Sequence, residues 1–188
     1  MNPKTKRKKQ AKVLRIFRKI HRLMGAFLFF FFFFISVSGL LLGWKKNSAG
    51  VLLAETQKGS SSEFSEWLPL SVLYEKAAKV IKDSVAENTP LALDRVDIRK
   101  DKGVIKFIYE DYYGLQLDGA TGQLLEFGKR QSDFVENIHD GSVLDIYFNT
   151  SGSPIKILYT TVMSIALLFF TITGFWLWYG PKRMRKSA

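Results

Sequence analysis

Two histidines, His21 and His139, are the residues of this 188-residue chain best placed to do chemistry. His21 stands in Arg18-Lys19-Ile20-His21-Arg22-Leu23-Met24-Gly25 and His139 in Ile138-His139-Asp140-Gly141, each just ahead of a long apolar run. Imidazole is the commonest axial ligand of b-type haem iron, and a bis-imidazole centre needs two rings facing each other across the porphyrin in apolar surroundings. Plainer readings stand beside this one. His21, among three cations, suits a headgroup contact or a cap, and His139-Asp140-Gly141 suits a turn that sets the angle at which the chain re-enters a membrane. With no cysteine and no cluster of histidines, neither a disulfide nor a structural zinc site is expected, so no metal is anticipated beyond a haem iron. The acids are scattered without a recognisable pair, and no nucleophile–base arrangement or phosphate-cradling loop appears, so a hydrolase is not indicated. Any redox chemistry would belong to a bound haem b, with the chain supplying ligands, orientation and dielectric.

The elements that must position these rings are the apolar runs, residues 25–44 and 157–179. A bilayer core of about 30 Å takes about 20 apolar helical residues, and both runs reach that length with no ionised residue inside. Each is therefore expected to cross once. Residues 1–24 carry ten Lys or Arg and no acid, and residues 180–188 add four more, whereas all 17 acids lie within residues 45–155 against 13 bases there. The positive-inside rule then places both tails in the cytoplasm of a cell with the chain in its inner membrane, and exports the 45–155 loop. The net charge of +11 is in this reading a topology and lipid-headgroup signal, and no nucleic-acid partner is expected. A cleaved signal peptide is disfavoured, because the first run is too long and Trp44-Lys45-Lys46 follows where small residues would be wanted. The span arithmetic sets His21 and His139 roughly 30 Å apart, near opposite faces. One chain then cannot bring both to one haem, whereas a parallel homodimer would pair each with its symmetry mate in a four-helix bundle.

The loop is long enough for one small domain. Residues 45–67, with Gly50, Gly59 and Ser60-Ser61-Ser62, read as a linker. A helix is expected over residues 71–86, with Ser71 as N-cap and Val72, Ala77, Val80, Ile81 and Val85 at helical spacing. After a break at Asn88-Thr89-Pro90 the period drops to two. This gives a hairpin around Lys100-Asp101-Lys102-Gly103, a third strand over 112–118 and a fourth over 123–127 after the turn Gly119-Ala120-Thr121-Gly122. In that turn Asp118 can accept from turn amides, and Gly122 can take the positive φ. Residues 131–156 form the re-entry segment.

Taken together, Tyr113-Gly-Leu-Gln-Leu-Asp118-Gly-Ala-Thr-Gly122-Gln-Leu-Leu125 resembles the last hairpin of a PepSY domain. The His21 segment, Ser38-Gly39, Ile138-His139-Asp140-Gly141 and Thr173-Gly174-Phe175-Trp176-Leu177-Trp178 resemble the PepSY-associated transmembrane family, over residues 18–46 and 68–183. The resemblance implies a membrane α+β protein in which two transmembrane helices flank an exported PepSY-like domain, residues 68–130, with a helix packed on an antiparallel sheet. Larger members include ferric-siderophore reductases that hold b-type haems between four or more helices. This chain departs from them in having two spans and two histidines. Two functions follow. One is a haem-binding or electron-transfer component associated with ferric-siderophore reduction, working as a homodimer or within a larger membrane complex. The other is a non-enzymatic adaptor whose sheet edge binds a partner such as a peptidase.

Other features have simpler expected roles. Phe29 to Phe34 encircle their helix and suit lipid and packing contacts. Gly39 and Gly43, with Ser36 and Ser38, and a second patch of Thr171, Thr173 and Gly174, suit close helix packing. Trp44, Trp176, Trp178 and Tyr179 suit interfacial anchors. Gly25, four residues after His21, would leave room for a porphyrin edge or for another helix.

Overall fold

A computed structural model describes residues 3–85 and 91–186. The chain divides into two compact units, one made of Met1–Gly39 with Asn137–Ala188, the other of Leu40–Glu136.

The first unit is built on two long helices, α1 (Pro3–Trp44) and α5 (Pro154–Lys186). Within the candidate spans, Arg7–Asn47 and Pro154–Arg185, the most apolar stretch has mean hydropathy 2.4 and 1.9, and only 11% of each such stretch is buried. A core helix of a soluble domain would hide those side chains, whereas these offer them outward as lipid requires. At 1.5 Å per residue, α1 is about 63 Å long, so the basic N-terminal segment continues the same helix beyond the apolar run. The phenylalanine run divides by face. Phe32 is half-buried and meets Phe170 of α5 with centroids 5.6 Å apart, Phe31 is exposed but reaches Tyr159 at 6.4 Å, and Phe29, Phe30, Phe33 and Phe34 are exposed.

Two short helices lead into α5: α3 (Gln131–Asp140) and α4 (Ser142–Tyr147). Gly141 joins them at φ +80°, where a Cβ would also come within 2.8 Å of the Tyr159 ring, so the sharp turn depends on glycine. His139 and Asp140 therefore close a helix and lie outside the turn itself. Asp145, 4% exposed, caps α5: its carboxylate accepts from the amides of Ile155 (3.1 Å) and Lys156 (2.7 Å) and from the Thr150 hydroxyl. It satisfies amides that have no intrahelical partner, and its negative charge suits a helix N-terminus.

The second unit is a four-stranded antiparallel sheet in the order β1 (Leu93–Arg99), β2 (Val104–Tyr109), β3 (Tyr113–Asp118), β4 (Leu124–Lys129). Helix α2 (Leu70–Ser84) covers one face. Leu73, Ala77 and Ile81, spaced four apart, pack on Ile105, Phe107, Tyr109, Leu115 and Leu117 of the two central strands. Leu73 is thus the head of the apolar stripe, one position on from Val72. Ser71 is not the N-cap. Pro69 takes that place with extended ψ and accepts the Leu73 amide at 3.1 Å, because the Leu68 amide is tied to the Gly119 carbonyl (2.9 Å) and fixes where the helix begins. Ala86 and the Asn88-Thr89-Pro90 break lie outside the described residues.

The opposite face of the sheet is crossed by the 45–67 stretch, which makes specific hydrogen bonds along its length. Gln116 accepts the Gln57 amide at 3.0 Å and donates to the Glu55 carbonyl at 2.8 Å, and Lys106 donates to the Thr56 hydroxyl at 2.7 Å. Asp118, 5% exposed, receives the Ser60 amide and hydroxyl together with the amides of Ala120 and Thr121 in the β3–β4 turn, where Gly122 takes φ +68°. Burial alone would raise the Asp118 pKa. The Ser60, Ala120 and Thr121 hydrogen bonds outweigh it and hold the carboxyl below its ordinary value.

Candidate functional site

Within the helical unit each histidine meets a hydroxyl–glycine pair on a helix other than its own. His21, on α1, lies against Thr173-Gly174 of α5: its Nδ1 is 2.9 Å from the Thr173 hydroxyl, and a Cβ built on Gly174 would approach its ring to 3.5 Å. His139, in the last turn of α3, lies against Ser38-Gly39 of α1: its Nδ1 is 2.9 Å from the Ser38 hydroxyl, and a Cβ on Gly39 would approach its ring to 3.4 Å. Gly39 and Gly174 thus admit imidazoles to helix surfaces that a larger side chain would cover. Gly43, four residues beyond Gly39, has open space where its Cβ would be. Within the chain, Gly39 thus receives a ring from α3.

Each hydroxyl also has an acceptor on its own helix. Ser38 donates its single hydroxyl proton back to the Phe34 carbonyl at 2.6 Å, and Thr173 donates to the Phe169 carbonyl at 2.7 Å. Each oxygen therefore faces its histidine as an acceptor for an Nδ1–H, which leaves Nε2 free of this contact. This is the way metal-ligating histidines are held, with one nitrogen anchored by a hydrogen bond and the other offered to a metal. Among the described residues no three His, Cys, Asp or Glu side chains gather closely enough to hold a metal ion by themselves. The donor set at each position is one imidazole. Such a donor would suit a haem iron, and a second imidazole for the same iron would have to come from another chain.

Aromatic side chains surround both positions. The Phe170 ring packs on His21 with centroids 4.1 Å apart and meets Phe32 edge-on at 5.6 Å. Both phenylalanines also line an open groove of about 360 Å³ beside His139, together with Ile35, Tyr159 and Met163. The space at Gly25 is taken up by Phe170, whose ring would lie 3.1 Å from a Cβ there, so that glycine serves the approach of α5. Asp140, next in sequence to His139, accepts from Lys156 at 2.6 Å and from the Ser142 amide at 2.9 Å. Burial would raise its pKa, but the Lys156 and Ser142 bonds prevail and lower it. Its charge is engaged there and is not the anchor of the imidazole.

The sequence offered His21 and His139 as candidates, but it did not pair them with the Ser38 and Thr173 hydroxyls that they meet in the structure. Their only signal was a repeated pattern: a Ser-Gly or Thr-Gly dipeptide once in each apolar run.

Two apolar membrane helices flanking a small antiparallel sheet domain define a membrane protein of the α+β class. Compared with models of known families, the chain matches the PepSY-associated TM region over residues 2–180, and it belongs to that family. No match was found among curated proteins.

Proposed function

We propose that this chain is a haem-binding, electron-transfer membrane protein associated with the reduction of ferric complexes, with both termini cytoplasmic and the sheet domain exported. The observation that carries the reading is the pair of hydroxyl-anchored imidazoles. Two half-buried histidines with purely structural roles would have no need of the same kind of partner and a glycine beside each. The family adds the link to iron, since the resemblance extends to members that reduce ferric siderophores.

In this reading the working unit is a parallel homodimer. His21 and its symmetry mate would hold one haem b near the cytoplasmic face, and His139 and its mate a second near the exported face. Bound haem would supply a one-electron carrier at each level. The chain's own part is to fix the Nε2 atoms, exclude water with phenylalanine and hold the two levels apart. From residue 21 to residue 38 the α1 axis rises about 25 Å, and the Phe170 and Phe32 rings lie along that interval.

The test is optical. His21→Ala should remove the absorbance of one haem and His139→Ala that of the other, since each change deletes both symmetry-related ligands of one centre. Equal and complete loss in either single variant would contradict two separate sites.

A further inference from the structure

The sheet domain carries a cleft whose charges are arranged for a ligand that the histidines do not explain. Where the 45–67 stretch crosses the sheet, an opening of about 340 Å³ remains, near the lower end of the roughly 300–1,000 Å³ usual for small-molecule sites. Lys106 lines it from the middle of β2 and is only 7% exposed. Lys46, Arg99, Lys102 and Arg130 also line it, against three acids, Glu55, Asp97 and Asp101.

The ion pairing of these groups is uneven. Arg130 is committed to Asp133 at 2.7 Å, and Asp97, the cross-strand neighbour of Lys106, has Arg95 at 3.8 Å. Among the described residues, no carboxylate comes within 4.0 Å of Lys46, Arg99, Lys102 or Lys106. The Lys106 ammonium has three protons to donate and one close neutral acceptor, Thr56. A buried cation without a counter-ion is costly, and a site that leaves one in place at the floor of an open cleft is most simply completed by an incoming anion. Consistent with this, burial and then the charges of Arg130 and Arg99 lower the Lys106 pKa in spite of Glu126 and Asp97.

We infer that this cleft binds a small soluble polyanion through carboxylate or phosphate oxygens, with Lys106 at its floor and Arg99 and Lys102 at its rim. Such oxygens accept charge-assisted hydrogen bonds from ammonium and guanidinium groups, which are the stronger class. The inference rests on the sheet domain alone and is independent of haem.

It is tested by calorimetric titration of the full chain, in discs of zwitterionic phosphatidylcholine, with citrate and separately with inorganic phosphate. Saturable one-to-one binding of at least one is expected. Affinity should fall roughly tenfold in Lys106→Met and several-fold in Arg99→Gln, with no change in Arg95→Gln, whose partners are Asp94, Asp97 and Asp133. Arg99 is exposed, so its variant remains informative if Lys106→Met fails to fold. Absence of binding by both anions, or binding that neither variant weakens, overturns the inference. Repeating the titration in discs containing phosphatidylglycerol separates the two sources of such oxygens. Undiminished binding supports a soluble ligand, and its abolition there would give the cleft to a lipid headgroup and overturn the assignment.

Discussion

Ser38 and Thr173 each own one hydroxyl proton, and its destination decides what the facing histidine can do. Both protons have carbonyl acceptors on their own helix, which leaves each oxygen free to accept from the facing imidazole. If the proposal holds, Ser38→Ala and Thr173→Val should leave the chain folded but weaken haem retention about 10- to 100-fold, each at its own position, as loss of an orienting partner does at known metal sites. Haem release to a competing apoprotein would measure it; unchanged release rates in both variants would show that the hydroxyls do not serve the site. A second residue-scale test concerns pH. The Asp118 carboxyl has a lowered folded-state pKa, so its stabilising effect is fully present above the unfolded value near 3.8 and is lost as pH falls through the folded one. Melting of the sheet domain should therefore fall steeply below about pH 4, and less steeply in Asp118→Asn, which has no charge to lose. The sequence singles out the two histidines as candidates because few residue types can ligate iron. Their anchors were not legible there, since the partners lie 152 and 101 residues away and a lone Ser or Thr in an apolar run equally suits helix packing.

Elements were legible where periodicity was strong. Alternation marked the strands, and helical spacing marked α2 to within about two residues at its start. The Leu68–Gly119 backbone bond, which moves the cap to Pro69, has no sequence signature. Nor does the binding of residues 45–67 across the sheet, which uses backbone amides and Ser, Thr and Gln side chains and so leaves no apolar period. The α2 stripe predicts that Leu73→Ala, at a position 1% exposed, costs about 2–5 kcal/mol in chemical denaturation of the sheet domain, whereas Tyr74→Ala, on its exposed side, costs less. On the helix pair the corresponding element is the glycine surface. Since a Cβ at Gly39 would already touch His139, Gly39→Leu should drive the ring off Ser38 and remove the absorbance assigned to His139, leaving that of His21. Loss of both signals would instead mean that the helix pair had come apart.

For the molecule as a whole, charge and cofactor make separate demands. Uniformly basic ends and a mildly acidic middle predict that a reporter active only outside the cytoplasm stays silent when fused after Lys186 and works when inserted at Gly59; the reverse pattern would invert the topology. The central claim is that the two imidazoles hold haem, and the spectrum of the intact chain tests it most directly. Protein produced with ample haem and purified in mild detergent should show a Soret band, a sharp α-band on reduction and about one haem per chain, as two shared haems in a homodimer require, while the His21→Ala, His139→Ala double variant should show none. A colourless wild-type protein, or a double variant with an undiminished spectrum, would contradict haem ligation and leave the adaptor role of the sheet domain as the account of this chain.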